Sequence, residues 1–228
     1  MNAPTRREEK AGNGRDWTDL LSPIGDELDR LAVDEIGKLV RLGSRVSALD
    51  CDCGLGGQAL RMAQAGAYVI ATDRDDRRAT IEDAASSLGV GSRIRFMQIP
   101  SMCHDTTPLP GAPFDIAICH RSLPNMRYAE ALAFVRRVLL MTRTGGKIFL
   151  SAYGVHSELG DHYPDSEKRV KERFADLAPA VAAKYGISGP VCLYSERDLF
   201  LLLFAAGASV LRTFTTTHGN VKAIAVRV

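Results

Sequence analysis

No run of 18 apolar residues occurs in this 228-residue chain, so no part of it reads as a membrane-spanning helix. Charge of one sign is not in excess either. The formal net charge is +2 with 25% of residues charged, which gives no field to draw the protein to nucleic acid or to an anionic membrane. Cysteine is sparse. Cys51, Cys53, Cys103, Cys119 and Cys192 are odd in number and lack the paired C-x₂₋₄-C spacing of a zinc site. Reduced thiols in a cytoplasmic protein without a metal are therefore the expectation. The opening "MNAPTRREEKAGNGRD" has charges but no apolar h-region, and reads as a disordered tail over residues 1–16 rather than a secretory signal. Tryptophan occurs once, at Trp17, as a lid aromatic or as an anchor for the first helix.

What is present is the composition of one ordinary domain, 46% hydrophobic and long enough for a three-layer core over residues 17–228. Residues 17–44 form a helical cap, with Leu28, Leu31, Ile36, Leu39 and Val40 at helical spacing and Gly43 as a stop. From residue 45 strands and helices alternate. "RVSALD", "AYVIATD", "RIRFMQI", "FDIAICH" and "GKIFLSAY" are strands. "GGQALRMAQAG", "RDDRRATIEDAASSLGV" and "AEALAFVRRVLLMT" are helices, the second with Asp75 or Asp76 in its first turn. Such alternation predicts a parallel sheet covered on both faces. The end breaks the rhythm. "SERDLFLLLFAAG" is a helix capped by Ser195 with Asp198 at N3. "ASVLRTFTTT" and "VKAIAVRV" follow, too close together for a crossover helix, and so make an antiparallel hairpin. Residues 155–190 are an insertion on the substrate side, expected to hold one amphipathic helix through Val170, Phe174, Leu177 and Val181. Its His156, His162 and Tyr163, with Tyr185 and Tyr194, are candidates to line a substrate pocket.

The segment "LDCDCGLGGQAL" carries the chemistry. A strand, a glycine turn and a helix N-terminus is where α/β folds bind nucleotides. Gly54, Gly56 and Ala59 fit G-x-G-x-x-A, and Asp73 closes the second strand 19 residues beyond Gly54, placed to accept ribose hydroxyls. Three features turn the reading away from NAD. A pyrophosphate would meet both Asp50 and Asp52 in one turn. About forty residues precede the first strand, where dinucleotide domains often begin. The terminal hairpin is foreign to the dinucleotide fold.

Taken in order, "ALDCDCGLGGQAL", "VIATD", "FDIAICHRSLPNM" and "RRVLLMTRTGGKIFLSAY" resemble the motifs of class I S-adenosylmethionine-dependent methyltransferases. The resemblance spans about residues 17–228. It implies an α/β Rossmann-like sheet of seven strands in the order 3-2-1-4-5-7-6, with a C-terminal antiparallel hairpin and helices on both faces. It also implies S-adenosyl-L-methionine as cofactor and a small-molecule methyl acceptor. Asp50 would face the cofactor's ammonium, with Asp52, Cys53, Gly54 and Gly56 around it. Asp73 and Arg74 would lie at the ribose, Ser101 and Met102 at the adenine, and Cys119 and His120 at the methionine end. His120 is also the candidate catalytic base. Three departures stand out: Asp52 replaces the family's first glycine, Thr144 replaces a proline, and no acid follows strand three until Asp105. Asp can enter the left-handed region that the first departure demands. The absence of N-P-P-Y after strand four argues against amide or adenine nitrogen as acceptor. Neither nucleic acid nor membrane is an expected partner, and homodimerisation is left open. Two rival readings remain: a methyltransferase fold that binds or regulates without catalysis, and an NAD-dependent oxidoreductase.

Overall fold

The computed structural model describes residues 26–102 and 108–228. The 1–16 tail, Trp17, the first residues of the helical cap, Cys103 and Asp105 lie outside the described residues. The cap contributes helix α1 (Glu27–Arg41), whose Leu28, Ala32 and Ile36 recur every fourth residue and are fully buried. Its N-terminus is a reciprocal capping box. Asp26 accepts the N–H groups of Leu28 and Asp29 at 2.7 and 3.1 Å, and Asp29 accepts the Asp26 N–H at 3.0 Å. Gly43, at φ 82°, follows the helix end.

The strands are β1 (Ser47–Cys51), β2 (Tyr68–Asp73), β3 (Ile94–Gln98), β4 (Phe114–His120), β5 (Thr142–Ala152), β6 (Ala208–Thr215) and β7 (Val221–Arg227). They form one sheet in the order β3-β2-β1-β4-β5-β7-β6. The first five run parallel, and β7 is antiparallel to both β5 and β6. Further helices are α2 (Gly57–Gln64), α3 (Arg78–Ser87), α4 (Tyr128–Met141), α5 (Pro179–Tyr185) and α6 (Glu196–Ala206). Strand side chains alternate between faces. Leu49, Ala117 and Leu150 join Phe134 and Val138 of α4 and Leu199 and Leu203 of α6. Their neighbours Ala48, Ile116, Ile118 and Phe149 join Leu28 and Ile36 of α1, Met62 of α2 and Ile81 of α3. Each large apolar side chain so buried contributes roughly 1.5–3 kcal/mol relative to exposure. The chain turns back between β1 and β4, which leaves a crevice over their carboxyl ends where α/β folds hold ligands.

Three local expectations need correction. There is no helix through Val170, Phe174, Leu177 and Val181. A single 3₁₀ turn at Val170–Glu172 gives way to extended chain, and α5 starts only at Pro179. Proline lacks the N–H to continue a helix and forces Ala178 before it out of the helical region, to ψ 135°. Instead, the Phe174 N–H is taken by Asp165 at 2.9 Å, and Ala175 pairs with Val191. Asp75 and Asp76 also stand before α3 rather than in its first turn, with Asp76 accepting the Arg78 N–H at 3.0 Å. Finally, the fifth strand starts at Thr142 rather than at "GKIFLSAY", so Gly145 and Gly146 lie inside β5, where the pairing with β4 shifts register. The insertion closes over its own small core, which includes Tyr153, Leu159, Tyr163, Leu177, Ile187 and Leu193.

Candidate functional site

The glycine turn after β1 is built from left-handed residues. Asp52, Gly54 and Gly56 have φ of 51°, 57° and 85°. Asp52 therefore adopts the conformation that a glycine would take more cheaply, one Asp enters more readily than most residues. Gly56 has a second constraint. A Cβ there would stand 2.7 Å from Cγ1 of Ile81 on α3. Gly56→Ala is expected to lose about 1–2 kcal/mol from the left-handed backbone alone, with more from the clash. Thermal unfolding of Gly56→Ala, Ile81→Ala and the double variant checks this, since removing the γ-carbons should make the second substitution cost less in the double variant than alone.

Asp73 closes β2 and organises the turn. Its Oδ2 accepts the Gly54 N–H at 2.8 Å and its Oδ1 accepts the Asp75 N–H at 3.1 Å. A carboxylate offers about four lone-pair positions, and Asp73 is 7% exposed at the strand end.

Beside this turn opens a cavity of about 240 Å³. Asp50, Asp52 and Cys53 line it from the β1 end, Gln58 and Arg61 from α2, and His120 and Arg121 from the end of β4. Asp26 and Asp29 reach it from α1, Ser151 from β5, and Asn220 and Lys222 from the hairpin. Asp29 sits at the centre of its charges. Its Oδ1 lies 2.6 Å from His120 Nε2 and its Oδ2 accepts from Arg61 Nη2 at 2.9 Å. Lys222, its side chain only 3% exposed, reaches Asp26 at 2.7 Å. Burial would raise the Asp29 pKa, but the hydrogen bond and charge of His120, with the charge of Arg61, hold it at about 2. Burial would likewise depress His120. The hydrogen bond and charge of Asp29, aided by Asp26, outweigh that and leave its pKa above the ordinary value. The other ring nitrogen, Nδ1, lies 3.2 Å from Ser151 Oγ.

Asp26, Asp29 and His120 also bring three ligand-type atoms within 4.8 Å of one another. Those carboxylates already face Lys222, Arg61 and the imidazole, so the arrangement is an ion-pair network.

Of the residues singled out in the sequence, Asp50, Asp52, Cys53 and His120 line this cavity. Gly54, Gly56 and Asp73 shape the turn behind it. Arg74 is exposed beyond β2, Ser101 is half-buried after β3, and Met102 is packed in the core. Cys119 is also in the core, in register with Cys51 of the adjacent strand. Burial pushes the Cys51 thiol well above its ordinary range, which keeps it unreactive. In the insertion Tyr163 is buried and His156, His162 and Tyr185 are exposed, and Tyr194 just beyond it is buried. Sequence reading missed Asp26, Asp29, Gln58, Arg61, Arg121, Ser151 and Lys222. D-x-x-D at residues 26–29 is legible as a helix start, but nothing local says that this start faces the end of β4.

Residues 49–150 match the family model described as a methyltransferase domain. That stretch, from β1 to the last residues of β5, is similar to a methyltransferase domain. Solved structures agree at the level of the fold. Magnesium protoporphyrin IX methyltransferase from Synechocystis PCC 6803, solved with bound SAH, superposes with a TM-score of 0.60 at 20% identity, over 92% of this chain and 86% of that one. The 1,6-didemethyltoxoflavin-N1-methyltransferase of Burkholderia thailandensis gives 0.62 at 19%, over 92% and 80%. The [4+2]-cyclase SpnF gives 0.58 at 23%, over 84% and 60%. No curated protein matches by sequence. The methyltransferase fold thus extends across the chain, and its host of chemistries makes the site, rather than the fold, the ground for assigning function.

Proposed function

We propose that the protein transfers a methyl group from S-adenosylmethionine to a small-molecule acceptor. One observation carries the reading: a cavity of mixed charge at the carboxyl ends of β1 and β4, bounded by a glycine turn that places two acids, Asp50 and Asp52, at its wall. A zwitterionic amino-acid end fits such a site, with acids for its ammonium and cations for its carboxylate. A pyrophosphate does not fit, because like charges would face it from both aspartates. Asp50 and Asp52 would hold the ammonium and Asp73 the ribose. When bound, the cofactor supplies an electrophilic methyl group that needs no further activation.

The protein's own residues then orient the acceptor, exclude water and remove a proton. Neutral His120 donates Nε2–H to Asp29, which leaves Nδ1 basic and pointed at Ser151. A hydroxyl acceptor gives its proton to Ser151 Oγ, and the Ser151 proton passes to Nδ1. The resulting imidazolium is stabilised by Asp29 and releases its proton to solvent.

Calorimetric titration tests the cofactor assignment. Adenosylhomocysteine is expected to bind with a micromolar dissociation constant, on the order of −8 kcal/mol, and NAD to give no heat of binding. NAD affinity with none for adenosylhomocysteine would reverse the assignment in favour of an oxidoreductase. Adenosylhomocysteine binding without methyl transfer to any acceptor in a broad panel would instead favour a non-catalytic binding protein.

A further inference from the structure

A second cavity, of about 200 Å³, adjoins the first and shares Arg121 and Asn220 with it. Its other walls come mainly from the insertion, with contributions from the end of β5 and the hairpin turn. Tyr153 follows β5, Leu159, Tyr185 and Ile187 belong to the insertion, and His218 sits in the β6–β7 turn. The walls are seated against one another. Gly219 is at φ 80°, and a Cβ on it would stand 2.5 Å from Ser157 Cα, so the hairpin turn rests directly on the insertion. Ser157 Oγ donates to the Gly154 carbonyl at 2.7 Å and accepts the Leu159 N–H at 3.2 Å.

The charge on this wall is specific. Among the described residues lining it, Arg121 alone has a permanent positive charge. The one carboxylate, Glu158, is already engaged by Lys184 and by the Tyr185 hydroxyl. Arg121 is also held in the left-handed backbone region, at φ 55°, which long side chains rarely adopt. Its N–H is fixed by the Ser151 carbonyl at 3.1 Å and by Ser151 Oγ at 3.2 Å. The same Ser151 faces His120, so the guanidinium's backbone anchor and the proton relay share one residue. A volume below the roughly 300–1,000 Å³ of pockets for drug-sized ligands admits a single substituted ring.

We propose that this second cavity is the acceptor's binding site and that it takes a planar aromatic carboxylate, its carboxylate on Arg121 and its ring against Tyr153 and Tyr185. The guanidinium fork matches a carboxylate in two parallel hydrogen bonds, and tyrosine rings supply apolar area with little loss of side-chain freedom. The proposal rests on the methyltransferase reading, since only then does the ligand present a hydroxyl to the relay at the junction of the two cavities.

The test uses 4-hydroxybenzoate and its neutral analogue 4-hydroxybenzamide as probes, titrated calorimetrically into the full chain with and without saturating adenosylhomocysteine. The carboxylate is expected to bind at least tenfold more tightly than the amide. Arg121→Gln should erase that preference in the adenosylhomocysteine-saturated protein as well as in the free one. Tyr185→Ala, at an exposed rim, should weaken both probes alike and keeps the test open if Arg121→Gln fails to fold. Equal binding of the two probes to the wild-type protein, or binding of neither, would overturn the proposal. So would an Arg121→Gln protein that loses tenfold or more in adenosylhomocysteine affinity and keeps the carboxylate preference, because Arg121 would then belong to the cofactor. A wild-type protein that binds no adenosylhomocysteine counts against the methyltransferase reading itself, and is read separately from the preference between probes.

Discussion

His120→Ala is expected to lower the rate of methyl transfer by roughly 10²–10⁴-fold, the usual contribution of a positioned proton acceptor. The wild-type rate should rise with pH, with unit slope, through an apparent pKa above about 6.5, because the neutral imidazole is the active form and Asp29 raises its pKa. Asp29→Asn should move that profile to lower pH and lower its plateau, since the asparagine neither supports the imidazolium nor fixes the tautomer. Stability follows the same pair with the signs set by the two shifts. His120 binds its proton more tightly when folded, so its contribution is complete below the unfolded value and is lost as pH rises through the folded one. Asp29 is held at about 2, so its contribution is present above its unfolded value and is lost as pH falls toward 2. The pair therefore stabilises most between about pH 4 and 6.5. Asp29→Asn removes one partner of a nearly buried pair, at a cost of about 3 kcal/mol in that window. Initial rates and chemical denaturation across pH measure both effects. A flat rate profile, or a His120→Ala enzyme within threefold of wild type, would sink the relay.

Asp73→Ala is expected to weaken adenosylhomocysteine binding by one to two decades, the value of a charge-assisted bond to a ribose hydroxyl at about 1.5–3 kcal/mol. It should also cost stability. The carboxylate accepts the N–H groups of Gly54, which is buried, and of Asp75, which is exposed, and removing it leaves the Gly54 donor without this acceptor inside the protein. About 1–3 kcal/mol is the expected loss on unfolding. Asp73→Asn retains an acceptor oxygen and should recover part of the stability while leaving affinity weak. Melting curves and titrations on both variants separate the two roles. A folded Asp73→Ala protein with wild-type affinity would place the ribose elsewhere.

The fold was legible because its signals are local and repeat. Strands with apolar residues on both faces alternated with helices of period near four, and the short link before residue 221 forced an antiparallel pair. The cap of α6 could be read as written: Ser195 Oγ accepts the Asp198 N–H at 3.2 Å, and Asp198 accepts the Ser195 N–H at 2.9 Å. The left-handed Asp52 was likewise legible, because a position where the resemblance expects glycine implies a backbone state and not merely a small residue. Where the apolar spacing misled, at residues 170–181, one proline outweighed it.

The site was less legible because its partners come from distant parts of the chain. Asp29 and His120 are 91 residues apart and meet only because the buried stripe of α1 packs on the sheet with its N-terminus over β4. Asp26 and Lys222 meet for the same reason, across the hairpin. The sequence by itself determined the layered α/β architecture, the glycine turn and the acids at the ends of β1 and β2, since hydrophobic periodicity and turn chemistry act between near neighbours. Only the tertiary structure decided which charges face one another, that His120 is held by Asp29 and Ser151, and that Arg121 stands between two cavities. Electrostatic pairing depends on distances of a few ångströms across separate elements, and those distances exist only once the apolar faces have packed.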